Sequence, residues 1–392
     1  MSEPLTFIDL FAGAGGFSLG LHQAGLAGIF AVERNEMAFS TLRHNLIETE
    51  NAFDWPEWLP KEQIDIRFFL ERYQTELSRL KGKVDLIVGG PPCQGFSMAG
   101  RRVEHDERNS LFQDYVKFVK LVEPSIIMFE NVPGFSFPFG KNEQNDIPYS
   151  IKLSRELVNI GYQQPEQSIY NFSHFGVPQS RKRLVIIGSK KDLEPESIHE
   201  KIAMNGSQST KITVGNAISD LRRVNGEIDS PDSRGFRAGI YGSPTSQYQV
   251  ELRKHTINKS PDSHRFANHS ERIVERFSEI VKSSSCATNS SKDYITSLKL
   301  KKRNLNNLDP NQPSPTLTTL PDDYIHYDEP RILTVREYAR LQAFPDWFEF
   351  KGKYTTGGKL RVVETPRYTQ VANAVPPKFA KIAGKVLRKY YS

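Results

Sequence analysis

Short apolar runs recur through the first half of the chain, each stopped by glycine, proline or an acid, and most followed by a helical period. The first, Leu5-Thr6-Phe7-Ile8-Asp9-Leu10-Phe11, breaks into Ala12-Gly13-Ala14-Gly15-Gly16 and then a helical pattern through Leu19, Leu21 and Ala24. Residues 28–32 form a second run that ends on Glu33, and residues 64–66 a very short one around Asp65. Further strands are predicted over 84–88, 125–129 and 183–188. A helix capped by Asn109 or Ser110 is predicted through Leu111, Phe112, Tyr115, Val116, Phe118, Val119 and Val122, stopping before Pro124. Continuous apolar strands alternating with amphipathic helices predict an α/β fold with a mostly parallel sheet covered on both faces. Ligands of such sheets bind outside the carboxyl ends of the strands. Phe11, Glu33, Asp65, Cys93 and Glu130 all fall at or just past such ends.

The chemistry at those ends narrows the reading. Gly13 and Gly15 let a ligand approach the backbone, with the amides of the next helix facing it. Ser18 stands where the third glycine of a dinucleotide fingerprint would be, which argues against a pyrophosphate site. Glu33, about twenty residues beyond the first glycine, suits a pair of ribose hydroxyls and so an adenosine-bearing cofactor. A tight turn with a solvated glutamate explains the same pattern about as often. In Gly89-Gly90-Pro91-Pro92-Cys93-Gln94-Gly95-Phe96-Ser97 two prolines fix the backbone ahead of a thiol. With 2 cysteines in the chain, a structural disulfide or zinc site is hard to build, leaving Cys93 as a nucleophile or as a small buried hydrophobe. Glu130 ends an otherwise apolar strand, either as an acid beside that turn or as a cap on the next one. Arg181 and Arg183 alternate with Lys182, so an extended chain puts both guanidiniums on one face, able to grip a carbonyl, phosphate or carboxylate.

Five ordered segments carry a specific resemblance: residues 7–17 (Phe7-Ile8-Asp9-Leu10-Phe11-Ala12-Gly13-Ala14-Gly15-Gly16-Phe17), Gly90-Pro91-Pro92-Cys93-Gln94-Gly95, Glu130-Asn131-Val132, Gln179-x-Arg181-x-Arg183 and Gln370-Val371-Ala372-Asn373. Together they resemble the DNA cytosine-5 methyltransferase family of bacterial restriction-modification type, over roughly residues 5–190 and 310–392. The resemblance implies a Rossmann-like, S-adenosylmethionine-dependent methyltransferase sheet with a smaller target-recognition domain. It assigns 1–190 plus 324–392 to the catalytic, cofactor-binding domain and 191–323 to target recognition. Cys93 becomes the nucleophile at carbon 6 of cytosine, Glu130 the carboxyl at ring nitrogen 3 and Arg181 a hold on the exocyclic oxygen, with Arg183 a further catalytic residue. For S-adenosyl-L-methionine it implies Phe11 against the adenine, Gly13 and Gly15 by the methionine part, Glu33 on the ribose, Asp65 near the adenine amino group, and Asn373 completing the pocket. Gln94, Ser97, Arg101 and Arg102 belong to a flap expected to close on the DNA backbone.

The 392 residues suffice for two domains, and the net charge of +6 with a pI near 9.0 suits a polyanionic partner without requiring one. No signal-like start and no bilayer-length apolar run are seen, so a soluble, cytoplasmic, membrane-free protein is expected. Between residues 190 and 323 the texture turns to Ser, Asn, Asp, Lys and Arg. There Arg234 and Arg237, set among Gly235, Gly239 and Gly242, are candidates for guanine edges or phosphates. Lys299, Lys301, Lys302 and Arg303 read more readily as solvated surface, Cys286 as incidental, and His255, His264 and His269 lack the companions of a metal site. The expectation is a monomer that methylates carbon 5 of cytosine in double-stranded DNA through a cysteine adduct and a flipped-out base. Its physiological partner would be a separate restriction endonuclease whose sites it protects. An RNA cytosine methyltransferase and a DNA-binding protein without turnover are the rival readings. The recognised bases are not legible.

Overall fold

The computed structural model describes residues 3–92, 111–138, 147–190, 193–256, 260–282, 305–358, 360 and 363–391. The chain forms two compact units: Met1–Phe175, Lys182–Ser209 and Pro377–Ser392 make one, and Gly176–Arg181 with Thr210–Pro376 the other.

The first unit is built on a six-stranded sheet. In chain order its strands are β1 (Thr6–Leu10), β2 (Ala27–Val32), β3 (Leu86–Gly89), β4 (Ile126–Asn131), β5 (Glu166–Asn171) and, after the short β6 (Gln179–Ser180) of the second unit, β7 (Lys182–Ser189). Their spatial order is β2-β1-β3-β4-β7-β5. β1 to β4 pair in parallel, while β7 runs antiparallel to both β4 and β5, so five strands share one direction. This is the predicted mostly parallel α/β sheet. β1 lies between β2 and β3, which places the reversal of strand order, and hence the natural crevice, beyond the carboxyl ends of β1 and β3.

The apolar strands are buried because helices cover them. Phe30 of β2 meets the rings of Trp55, Trp58, Phe69 and Phe118, and the helix Leu111–Val122 buries Leu111, Phe112, Tyr115, Val116, Phe118, Val119 and Val122, the periodic positions read from the sequence. Asn109 and Ser110, its expected caps, lie outside the described residues. The helix Gly16–Gln23 (α1) packs on the C-terminal helix Pro377–Tyr391, whose Phe379, Ala383, Val386 and Leu387 are buried.

One predicted strand does not form. Ile64 donates its amide to the Glu33 carbonyl at 2.8 Å, and Asp65 then caps the helix Ile66–Arg72 by accepting from the Arg67 amide at 2.9 Å. An Asp with a free side-chain oxygen favours a helix start over a three-residue strand.

In the second unit, β6 pairs in parallel with Ser314–Pro315, and a hairpin joins Glu227–Asp229 to Arg237–Gly239. The helix Val335–Leu341 starts from a Thr334/Glu337 capping box and carries Arg336 and Arg340, both fully buried. Buried guanidiniums persist only when paired. Arg340 bonds Asp346 at 2.9 and 2.6 Å and Asp220 at 2.5 Å; Arg336 bonds Asp262 at 3.1 Å. Burial works to raise the Asp346 pKa, and Arg340 outweighs it and holds that carboxyl below the usual range. These pairs fasten Val335–Leu341 to residues 220–262, and residues 324–376 fall in this unit, whereas Pro377–Ser392 belongs to the first. Among the described residues no helix is long and apolar enough to cross a membrane.

Candidate active site

The turn after β1 is shaped by unusual backbone. Phe11 at φ 59° and Gly13 at φ 56° both occupy the left-handed region, which costs a non-glycine residue about 1–2 kcal/mol. The strain at Phe11 aims the following amides. Gly13 donates its N–H to Glu33 Oε2 at 2.9 Å, and Asn35 donates to Oε1 at 2.7 Å. A side chain on Gly13 would meet no atom within 4 Å, so this stretch of backbone borders open space. Gly15, also left-handed, caps α1. Burial raises the Glu33 pKa, against the two amide hydrogen bonds, which favour the charged form.

Asp65, half-buried, follows directly on the Ile64 amide that binds Glu33, so the Phe11–Gly15 turn, Glu33 and Asp65 stand together at one edge of the sheet. An open glycine turn beside a carboxylate able to accept two hydroxyl hydrogen bonds fits the nucleoside part of S-adenosylmethionine. A neighbouring feature was not singled out from the sequence. Asp9 is buried in β1 and accepts a hydrogen bond from Ser18 of α1 at 2.5 Å. Burial pushes its pKa up to about 7, with the Ser18 bond opposing. The signal available was a polar residue within the apolar stretch of each element: Ser18 stands at the missing third glycine and ties the helix to the strand beneath the turn.

The second cluster lies at the carboxyl ends of β3 and β4. Glu130, 9% exposed, forms an ion pair with Arg183 Nε at 3.1 Å. A Cβ on Gly90 would sit 2.9 Å from Glu130 Oε2, so the glycine is what lets this carboxyl lie against the turn that leads into Cys93. Asn131 donates from Nδ2 to the Pro91 carbonyl at 3.3 Å and fastens the same turn to β4. Asn131 belongs to the recognised segment, yet its role as a strut shows only in three dimensions. Cys93, Gln94, Ser97, Arg101 and Arg102 lie outside the described residues, as do Lys299, Lys301, Lys302, Arg303 and Cys286.

The remaining candidates belong to the second unit. Arg181 is buried, and Gln179 beside it donates from its side chain to Gln342 Oε1 at 2.7 Å and accepts from the Leu317 amide at 3.0 Å. Asn373 is exposed at the end of the helix Arg367–Asn373. Arg234 is exposed in the hairpin loop, and Arg237 is bound to Asp229 and Glu227. His264 is buried, with its ring nitrogens engaged by Thr334 Oγ1 and the Leu221 carbonyl, and burial drives its pKa down; among the described residues no cluster of metal ligands occurs.

Comparison with known proteins gives the family. The sequence pattern of the family described as C-5 cytosine-specific DNA methylase matches residues 5–389. The chain is 32% identical to the Type II methyltransferase M.DdeI of Desulfomicrobium norvegicum, over 99% of this chain and 89% of that protein. It is 31% identical to the Type II methyltransferase M1.HphI of Haemophilus parahaemolyticus, over 98% and 87%. Among solved structures, an E. coli prophage-encoded chain described as a DNA modification methyltransferase superposes with a TM-score of 0.67 at 25% identity, covering 98% of this chain and 99% of that one. The Dnmt2 methyltransferase of S. pombe shares the fold at a TM-score of 0.52 and 15% identity. The chain belongs to the C-5 cytosine-specific DNA methylase family and is a DNA cytosine-5 methyltransferase.

Proposed function

We propose that this enzyme methylates cytosine at one short duplex sequence through a transient bond from Cys93 to carbon 6 of a flipped-out base. The observation that carries the reading is the seat of Glu130, clasped by Arg183 and laid against Gly90, three residues before Cys93. Carbon 5 of cytosine is too weak a nucleophile to take a methyl group unaided. Addition of the Cys93 thiolate at carbon 6 breaks the 5,6 double bond and sends its electrons toward ring nitrogen 3. A carboxyl at that nitrogen neutralises the charge, the role assigned to Glu130, whose orientation Arg183 fixes. Arg181 is assigned the exocyclic oxygen.

S-adenosylmethionine, when bound, supplies an electrophilic sulfonium methyl. Glu33 would hold its ribose hydroxyls, Gly13 and Gly15 would border its methionine part, and Phe11, Asp65 and Asn373 would flank the remainder. After transfer a base removes the hydrogen from carbon 5, the carbon 6–sulfur bond breaks, and the thiolate of Cys93 is released. A stacked cytosine offers neither face to a thiol, so the base must leave the helix. The flap bearing Gln94, Ser97, Arg101 and Arg102 is assigned the DNA backbone, residues 191–323 target recognition, and 1–190 plus 324–392 catalysis. The enzyme is assigned to the cytoplasm as a monomer that protects host sites from a separate endonuclease.

The test is transfer of labelled methyl from S-adenosylmethionine to unmethylated duplex DNA, with the modified base and its flanks identified. Labelled 5-methylcytosine in one short context, resistant to ribonuclease and lost on treatment with deoxyribonuclease, is the expected product. No label from folded protein that binds both cofactor and DNA would overturn the reading.

A further inference from the structure

The recognition unit holds several arginines close to the loop 230–236, and all but one are spent on the protein itself. Arg237 donates to the Asp229 carboxylate and, at 3.1 Å, to the Glu227 carbonyl, with its Nε 3.5 Å from the Glu227 carboxylate. Arg223 also binds Glu227. Arg265 is sandwiched between the rings of Phe236 and Tyr354, 4.0 and 3.7 Å from their centroids, and donates to Ser233 Oγ at 3.1 Å. Arg367 donates to Asp232 Oδ2 at 2.6 Å and to Ser263 Oγ at 3.0 Å. Arg234, at the tip of the loop, is exposed, and no hydrogen bond or ion pair among the described residues engages it.

The loop that carries Arg234 is held at every side. Its neck is closed by Ser230 N–H to the Phe236 carbonyl at 2.9 Å, and Phe236 N–H to the Ser233 carbonyl at 3.2 Å. Gly235, at φ 80°, makes the turn, and Asn268 donates to its carbonyl at 3.2 Å. Asp232 is the anchor: besides Arg367, the Tyr354 hydroxyl donates to its two oxygens at 3.0 and 3.1 Å, and Ser230 and Ser233 donate to Oδ1 at 3.0 and 3.2 Å. A surface loop with so many fixed points presents its one unengaged guanidinium from a stiff base, so its backbone does not have to be ordered on binding.

We propose that Arg234 is a specificity-determining residue that reads a guanine edge in the DNA target, and that Asp232 is the residue that positions it. A guanidinium donates two parallel bonds to the oxygen and nitrogen acceptors of guanine in the major groove, a contact whose selectivity depends on a fixed approach. Arg237, with its nitrogens engaged by Asp229 and Glu227, holds the hairpin and does not read. The assignment rests on the methyltransferase reading above and names a residue responsible for its sequence choice.

The experiment compares wild type, Arg234→Ala, Asp232→Asn and Tyr354→Phe on a duplex library randomised around a cytosine, mapping every methylated site and its flanks. Arg234→Ala should retain cytosine-5 methylation while its discrimination against the wrong base falls about tenfold or more at one position only. Asp232→Asn and Tyr354→Phe should relax the same position to a smaller degree, with the KM for S-adenosylmethionine unchanged. Tyr354→Phe keeps the ring beneath Arg265 and so tests the anchor even where Asp232→Asn folds poorly. A loss uniform across sequences, with a salt dependence shallower by about one counterion, would make Arg234 a phosphate contact and overturn the proposal. So would an unchanged profile for Arg234→Ala, while an unchanged profile for both anchor variants would remove Asp232 from the role. Residual 5-methylcytosine from Arg234→Ala separates these outcomes from a failure of the methyltransferase reading itself.

Discussion

Replacing Gly90 with alanine should slow methyl transfer without unfolding the protein. The added methyl carbon would lie 2.9 Å from Glu130 Oε2, where ordinary contacts begin at 3.4 Å, so one of the two must move by about 0.5 Å. Glu130 is the group that gives way least freely, because it is buried and tied to Arg183 at 3.1 Å. Gly90 is not among the residues with positive φ, so alanine imposes no left-handed strain, and the shorter list of unfolded conformations offsets part of the crowding. A displacement of about 1 Å in a catalytic group costs roughly a hundredfold, which makes about tenfold the expected loss in kcat for half that shift. Steady-state transfer of labelled methyl to duplex DNA measures it, alongside thermal melting and cofactor calorimetry. The melting temperature should stay within a few degrees of wild type and the cofactor affinity should be unchanged. A G90A enzyme with wild-type kcat would refute the placement of Glu130 beside the reacting base.

Three further outcomes follow from the same contacts. The Asp9 carboxyl has a folded pKa of about 7 against a reference of 3.8, so its neutral form is favoured by folding. That contribution is fully present below the unfolded pKa and is lost as pH rises through about 7, by an amount on the order of 4 kcal/mol. Asp9→Asn should therefore gain stability relative to wild type in urea unfolding between pH 5 and pH 8, and an equal difference at both pH values would contradict this. Glu33→Gln should weaken S-adenosylmethionine binding by about 10- to 100-fold in calorimetry while DNA affinity holds, since a charged acceptor is worth roughly 1.5–3 kcal/mol; unchanged cofactor affinity would remove Glu33 from the ribose. Arg340→Met leaves the buried Asp346 with the longer Arg336 contact at 3.9 Å and removes one partner of Asp220, and should cost about 3 kcal/mol by urea titration. A cost below about 1 kcal/mol would mean the pairs contribute little.

The strand edge was legible because its signal is local. Leu10, Val32, Val88 and Phe129 end apolar runs, and the residues that follow them carry the chemistry. The failed strand at residues 64–66 shows the limit of that signal: Ile64-Asp65-Ile66 alternates like a strand, but so does a helix entry with an aspartate cap. Arginines four residues apart, such as Arg336 and Arg340, ordinarily mark the wet face of a helix, and Asp346, six residues beyond Arg340, could pair with it as readily at the surface as in the interior. Their partners Asp262 and Asp220 lie 74 and 120 residues away, so the burial of that helix, and with it the extent of the second unit, follows only from the folded chain. Asp232 is a similar case, an ordinary turn aspartate until Arg367, 135 residues on, closes on it.

The bond between Cys93 and cytosine is the centre of the account and can be trapped. Duplex DNA carrying 5-fluorocytosine at the target offers no proton for the final elimination, so the reaction should halt after methyl transfer with the protein still attached at carbon 6. Incubated with S-adenosylmethionine, wild type should give a protein–DNA species stable to denaturation, and peptide mapping should place the nucleotide on Cys93. Cys93→Ala should bind the same DNA and give none. Methylated product from Cys93→Ala, or an adduct on any other residue, would contradict the mechanism.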